Sequence, residues 1–184
     1  MIALYVVAAV VVLALGSLGV SYNRFVRQRN LVRNAWHNID TELQRRYDLV
    51  PNLVETVRGY ATHEAAVFES VAAARTAAIA SQGAPDEQEA PERALVGELR
   101  GLFAVAERYP DLKASEHFLE LQQQLADTED RIQVARRIYN ANVRALNTRV
   151  ESFPSLLVAR RFGFERQPSF EVDAAITTPV VRLQ

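Results

Sequence analysis

The sequence contains no cysteine and only one lysine, Lys113, among its 184 residues. Without cysteine there are no disulfides, no thiolate zinc sites and no cysteine nucleophile. The absence of cysteine does not identify the cellular compartment, because a protein without cysteine works equally well on either side of a membrane. The net charge of -1 gives no overall electrostatic attraction for nucleic acid, which we exclude as a partner.

Motifs of nucleotide-binding and hydrolytic enzymes are also missing. The sequence has no phosphate-binding glycine loop, dinucleotide fingerprint or nucleophile elbow. His63-Glu64 begins like the metalloprotease helix motif, but Val67 stands where the second histidine is required. The other histidines, His37 and His117, have no metal-ligand spacing to His63. The sequence therefore predicts no cofactor, no metal site and no enzymatic activity.

A run without charge extends from Ile2 to Val20. At about 1.5 Å per residue a helix of this length spans roughly 28 Å, enough to cross a hydrocarbon core of about 30 Å. A cleaved signal peptide is the alternative, but it carries basic residues before its apolar run. Here the basic residues follow the run, at Arg24, Arg27, Arg29 and Arg33.

Because positive residues tend to stay in the cytoplasm, this order favours an uncleaved single-pass anchor. We expect the anchor in the cell (inner) membrane of a bacterium, with the N-terminus outside and the helical domain in the cytoplasm. The predicted partner of Ile2 to Val20 is the lipid bilayer itself.

Helical periodicity dominates the rest of the chain. No helix breaker separates the apolar run from an amphipathic stretch that continues to Tyr47. A long helix is predicted from about Ser115 to Glu151, with an apolar residue every seven positions at Phe118, Leu125, Ile132, Tyr139 and Leu146. A short helix from Ser155 to Phe162 ends at Gly163. The predicted fold class is all-α, with an N-terminal transmembrane helix followed by an antiparallel bundle of long helices.

The predicted organisation has three parts. Residues 1-21 form the anchor, and residues 22-163 form the helical bundle domain. Residues 164-184 form a tail that is either loose or paired with a neighbour, and it includes the β-leaning patch ITTPVVRL. Within the bundle we expect Asp48 to cap a helix that restarts at Val50-Pro51, Thr62 to cap the next helix, and a loop over residues 81-91.

The stretch RRYDLVPNLVETVRGYATHE, residues 45-64, concentrates charge around a proline. Asp48, Asn52 and Glu55 align on one helix face, where carboxylates can serve acid-base chemistry or meet arginines of the long helix such as Arg131, Arg136 or Arg137. The ion-pair interpretation is favoured over the catalytic one. The predicted structural kink and ion-pair residues are Arg45, Arg46, Asp48, Pro51, Asn52 and Glu55.

Asparagines form a second pattern. Asn30, Asn34 and Asn38 recur every four residues, and the long helix offers Asn140 and Asn147. If both sets face inward, they form an interhelical amide network that fixes the register of the helices.

The run from Arg45 to Glu64 resembles the LemA family. Other segments share the resemblance: Tyr22-Asn23, Arg29-Asn30, Ala35-Trp36, Ile39-Asp40, RYPDLKA at 108-114, SEHFLEL at 115-121, RIYN at 137-140, Phe153-Pro154 and FGF at 162-164. The similarity covers about Tyr22 to Phe170. It implies an N-terminal transmembrane helix, an all-helical cytoplasmic domain of long antiparallel helices, and no catalytic residues to carry over.

Together these features predict a membrane-anchored, non-enzymatic helical scaffold that self-associates as a homo-oligomer or organises membrane proteins. An adaptor that presents clients to a membrane protease or a signalling protein is the alternative. A hydrolase built on Asp48, Glu55 and His63 is the third hypothesis, and it requires these three residues to converge in one pocket.

Overall fold

The computed structural model describes residues 1-81 and 83-172. Within these ranges the regular elements are all helices, with no strand: α1 (Ile2–Arg58), α2 (Ala65–Ala80), α3 (Pro85–Ala106), α4 (Pro110–Lys113), α5 (Glu116–Glu151) and α6 (Ser155–Phe162). The predicted all-α fold of long helices is confirmed. The patch ITTPVVRL lies outside the described residues.

Helix α1 runs without interruption from the apolar run to Arg58. The prediction that the apolar run and the first amphipathic helix form one continuous helix is therefore confirmed. The predicted restart at Asp48 is wrong, because α1 contains Pro51 in its interior. Proline has no amide N–H, so the carbonyl of Tyr47 loses its helical donor. Arg75 of α2 replaces that donor, since its Nε lies 2.7 Å from the Tyr47 carbonyl oxygen.

We expect Arg75→Met to lower the free energy of unfolding by about 1–2 kcal/mol, because it leaves the Tyr47 carbonyl without a partner. In a Pro51→Ala background the same substitution should cost less, since alanine restores the helical amide donor. Chemical denaturation of the four combinations in one detergent measures this coupling. An equal loss in both backgrounds would contradict the pairing of Arg75 with Pro51.

Two other boundaries differ from the sequence prediction. Helix α2 begins at Ala65 with Glu64 in the cap position, so Thr62 does not cap it. The loop predicted over residues 81-91 is shorter, because α3 already begins at Pro85. Proline suits the first turn of a helix, where its missing N–H has no helical acceptor anyway. Ser115 lies directly before α5, and its Oγ accepts a hydrogen bond from the Phe118 amide at 3.5 Å.

The chain divides into two compact units. Unit 1 contains Met1–Ala35 and Ile138–Ser169. Its core is aromatic: Phe25 of α1 stacks on Phe164, with ring centroids 4.7 Å apart, and Tyr22 contacts Phe162 and Phe164 edge-on. The turn after α6 depends on Gly163, whose φ of 69° is disfavoured for other residues.

Unit 2 contains Trp36–Arg137 and the described residues from Phe170 to Val172. Helix α2 packs on α3, and the α5 segment contributes Phe118, Leu125 and Ile132 to the core, as the seven-residue spacing predicts. Thr128 is also buried on this face, and its hydroxyl bonds to the Gln124 carbonyl at 2.8 Å. That local bond explains how a polar residue occupies a core position.

The first part of the predicted tail is packed against its own chain. Phe164, Phe170 and Val172 are buried. In unit 1 Asn147 bonds both backbone groups of Gln167, each at 2.9 Å. In unit 2 the Phe170 ring meets Trp36 edge-on at 5.2 Å, and the Glu171 amide donates to Glu89 at 2.6 Å. Residues 164-172 therefore belong to the two folded units.

Candidate functional site

Three charged side chains meet in the interior of unit 2. Arg46 comes from α1, Glu92 from α3 and Glu129 from α5. One guanidinium nitrogen, Nη1 of Arg46, lies 2.8 Å from Glu129 Oε1, and the other, Nη2, bonds Glu92 Oε2. The exposed fraction of the side chain is only 1% for Arg46, 0% for Glu92 and 7% for Glu129. The guanidinium therefore links α3 and α5 to α1 out of contact with water.

Two further side chains complete this buried charge cluster, which we define as Arg46, Tyr47, Gln88, Glu92 and Glu129. The Tyr47 hydroxyl donates to Glu92 Oε1. Gln88 Nε2 donates to the Tyr47 oxygen at 3.3 Å. Tyr47 also ties the cluster to α2, because its carbonyl accepts the Arg75 bond. Four helices thus share one hydrogen-bonded group in the core.

The cluster has more negative than positive groups, with two carboxylates around one guanidinium. Burial alone would lower the pKa of Arg46, but Glu129 and Glu92 outweigh it and raise that pKa. Burial raises the pKa of Tyr47, and the Glu92 carboxylate adds to this effect. Burial also raises the pKa of Glu129, against the opposing attraction of Arg46. Glu129 Oε2 has no hydrogen-bond partner, consistent with a carboxylate whose ionised form is poorly compensated.

The pH dependence of stability tests whether burial or the attraction of Arg46 dominates the pKa of Glu129. A glutamate in the unfolded chain ionises near pH 4.3. In the folded chain Glu129 stays protonated to a higher pH than in the unfolded chain. The free energy of unfolding therefore falls as the pH rises from the unfolded pKa toward the higher folded pKa. We expect the unfolding free energy of the wild type, relative to Glu129→Gln, to decrease with rising pH by at most about 1.4 kcal/mol per pH unit. Denaturation of both proteins across the acidic and neutral range measures it; an increase with pH would mean that attraction to Arg46 dominates.

The geometry of the buried charge cluster suits a structural role. A small cavity in the described part of the chain lies elsewhere in unit 2, where Phe103, Lys113, Phe118, Leu119 and Gln122 contribute to its lining. Its volume of about 30 Å³ accommodates water rather than a substrate. A shift of α3 or α5 along α1 would break these ion pairs and leave buried charges without partners, which is costly.

The predicted kink and ion-pair residues have other partners than expected. Arg46, rather than Asp48 or Glu55, forms the buried ion pairs from the 45-64 stretch, and its partners are the carboxylates of Glu92 and Glu129. Arg45 lies 3.6 Å from Glu42 near the surface, and Asp48 accepts a bond from Gln44 at 2.9 Å. The backbone carbonyl of Asn52 accepts the Thr56 hydroxyl at 2.7 Å.

The residues of the hydrolase hypothesis do not assemble a pocket. Asp48, Glu55 and His63 are each exposed, and none of them lines the cavity described above. The condition set for that hypothesis is therefore not met by these three residues. The predicted amide network is also wrong for α1, because Asn30, Asn34 and Asn38 are exposed. Asn147 instead holds the Gln167 backbone, and Asn140 of α5 is partly buried.

Comparison with known proteins identifies the family. A model described as the LemA family matches residues 35-183, which is most of the chain. The chain belongs to the LemA family. The resemblance seen in the sequence is thereby confirmed, and the buried charge cluster lies inside the matched region.

Relatives of this LemA-family chain include magnetosome proteins. It is 26% identical to magnetosome protein MamQ 2 of Paramagnetospirillum magneticum, over 99% of this chain and 76% of the relative. It is 25% identical to magnetosome protein MamQ of Magnetospirillum gryphiswaldense, over 89% and 69%. It is also 25% identical to protein LemA of Metamycoplasma hominis, over 81% and 68%.

One helix among the described residues of the LemA-family chain is long and apolar enough to cross a membrane, and it is α1. The apolar window of α1 has no part buried within the protein. A large apolar surface of this kind is unfavourable in water. Together with the family, it suggests a membrane-associated protein.

Glu92 and Glu129 of the LemA-family chain were not among the predicted site residues, although their positions in the sequence carry a signal. Arg46 follows Leu43 by three residues and precedes Val50 by four, so it occupies a core position of the helical pattern. Glu129 follows Leu125 by four residues and precedes Ile132 by three on α5, which is also a core position. Glu92 precedes Leu95, Val96 and Leu99 by three, four and seven residues. Charges of opposite sign at core positions of three helices predict a buried ion-pair network.

Proposed function

We propose that this LemA-family chain is a membrane-anchored helical scaffold without enzymatic activity that self-associates or organises membrane proteins. The observation that carries the proposal is the continuity of α1. Its first part, Ile2 to Val20, is exposed and apolar, and the same helix supplies core residues from Phe25 onward. With no loop between the two parts, the folded domain follows the anchor directly.

The chemistry of the interior supports a non-enzymatic role. Arg46, Tyr47 and Glu129, whose pKa values are raised, belong to the buried charge cluster, where a substrate has no access. The cavity near Phe118 holds little more than water. The three residues considered for a hydrolase are exposed, and none of them lines that cavity. These arrangements favour a protein that acts through its surfaces.

The mass of the complex, extracted gently from native membranes, tests the proposal. We expect a homo-oligomer of this chain alone, or this chain together with other membrane proteins in a large assembly. A small particle with one tightly bound soluble client or protease would instead favour the adaptor alternative. A monomer that carries no other protein under gentle extraction would contradict both.

The proposed orientation in the cell membrane has its own test. Because the chain has no cysteine, single substitutions provide unique labelling sites. Ile2→Cys lies at the N-terminal end of the anchor, and Val134→Cys lies on the exposed surface of α5. With an impermeant maleimide, we expect Ile2→Cys to react in intact spheroplasts and Val134→Cys to react only after permeabilisation. The opposite pattern would place the helical domain outside.

A further inference from the structure

Helix α6 and the residue Phe153, two positions before it, expose large apolar side chains to the outside. Phe153 is 80% exposed and Leu157 is 57% exposed, although both are large apolar side chains. Residues three and four apart share a helix face, so Arg160 and Arg161 lie on the same outward face as Leu157, and both are exposed. The opposite face, with Val158 and Ala159, is buried. We define the α6 surface as Phe153, Leu157, Arg160, Arg161 and Phe162.

The α6 surface lies close to the end of the apolar run in α1. The ring of Phe162 contacts Tyr22 with centroids 5.0 Å apart. Tyr22 comes two residues after Val20, which corresponds to about 3 Å along the helix axis. Tyrosine is enriched at the boundary between hydrocarbon and headgroups, because its ring is apolar and its hydroxyl is polar. If α1 spans the bilayer, α6 is held at the level where it leaves the lipid.

The positive charge of unit 1 is complementary to an anionic lipid surface. This unit contains nine arginines and two acidic residues, Glu151 and Glu165, and therefore carries a net charge of +7 in a chain whose total is -1. Glu151 is already paired, with Arg166 at 3.1 Å. Basic residues next to a membrane anchor attract anionic headgroups. Exposed aromatic and leucine side chains beside arginines are typical of helices that lie in the membrane interface.

We propose that the α6 surface docks on the bilayer, with Phe153, Leu157 and Phe162 among the upper acyl chains and Arg160 and Arg161 on anionic headgroups. The inference rests on insertion of α1, which is part of the proposed function. The occupant of this surface is thus lipid, and the domain has a second contact with the membrane besides its anchor. The long arginine side chains reach the headgroups while their methylene stems stay in the apolar layer.

Depth-dependent quenching in nanodiscs tests the proposal on the full chain. Three single-cysteine variants are labelled with an environment-sensitive fluorophore: Leu157→Cys on α6, Leu13→Cys within the apolar run, and Val134→Cys on exposed α5. Each is measured in phosphatidylcholine with phosphatidylglycerol, with and without phosphatidylcholine spin-labelled either near its headgroup or midway along its acyl chain. We expect quenching at Leu157 and Leu13, and none at Val134.

The outcomes separate the two proposals. Quenching at Leu13 without quenching at Leu157 overturns docking of α6 and leaves the anchor intact. No quenching at Leu13 overturns the anchor, and docking falls with it. Protection of Leu157 from aqueous iodide in native membranes alone, and not in nanodiscs, would overturn docking on lipid and indicate a protein partner.

The role of charge has a matched control. Each arginine near an anionic surface strengthens binding about fivefold, so Arg160→Gln with Arg161→Gln should lower the docked-to-undocked ratio at the Leu157 label about 25-fold. Arg131→Gln with Arg137→Gln removes the same charge from exposed positions of α5 in unit 2 and should leave the ratio unchanged. An equal effect of both pairs would contradict the contact between α6 and the headgroups.

Discussion

Replacing Arg46 with methionine should lower the free energy of unfolding by about 3–5 kcal/mol, because it leaves buried carboxylates without their counter-charge. Arg46 has only 1% of its side chain exposed, and it is the cation that both Glu92 and Glu129 contact. For a chain of this length the loss corresponds to a fall in Tm of about 6–20 °C. Thermal unfolding followed by far-UV circular dichroism, in a single detergent, measures it.

The neighbouring arginine provides the control for Arg46. Arg45 has 47% of its side chain exposed and contacts only Glu42 of its own helix. Arg45→Met should therefore change stability by no more than about 0.5 kcal/mol. Adding Glu92→Gln and Glu129→Gln to Arg46→Met should recover most of the loss, since the uncompensated charges are then gone. Similar losses for Arg45→Met and Arg46→Met would refute the buried charge cluster as a stabilising element.

Truncation of Ile132 to alanine should cost about 2–5 kcal/mol, through lost burial and the cavity that remains. Ile132 is only 2% exposed and lies on α5 one turn after Glu129. The measurement is chemical denaturation of the full chain in detergent. The expected change is a lower midpoint with an unchanged dependence on denaturant, because the surface exposed on unfolding stays the same.

Val134 provides an exposed control position for Ile132 on the same helix. It lies two residues further along α5 with 46% of its side chain exposed. Val134→Ala should shift the unfolding free energy by about 0.5 kcal/mol or less. If Ile132→Ala unfolds at the same denaturant concentration as the wild type, Ile132 does not face the core.

Apolar residues seven positions apart lie on the same face of a helix. Their periodicity alone therefore predicts which face of α5 is buried in the core. The predictions failed where tertiary contacts override local preference. Proline and aspartate favour a helix restart near Asp48, but the structure continues α1 because Arg75 of a distant helix supplies the missing donor. No pattern within the 45-64 stretch contains that information.

The buried charge cluster was not predicted from the sequence for a different reason. Charged residues are almost never fully buried, so each charge taken singly predicts a surface position. Arg46 was among the predicted ion-pair residues, but the interhelical pairs were expected between the carboxylates Asp48 and Glu55 and the arginines of α5. Only the joint placement of Arg46, Glu92 and Glu129 at core positions of their helices indicates the true pairing. Long-range contacts of this kind become visible when helix patterns are compared with one another.

The continuity of α1 sets an angular relation between the lipid-facing run and the core residues that follow it. Each residue of an α-helix turns about 100° around the axis, so one residue inserted between Val20 and Phe25 rotates the core side chains by that angle relative to the run. Seven inserted residues make nearly two turns and restore the angle within about 20°. Substitutions in this junction preserve the rotational phase, whereas insertions or deletions of one or two residues change which side of the folded domain faces a neighbouring molecule in the membrane.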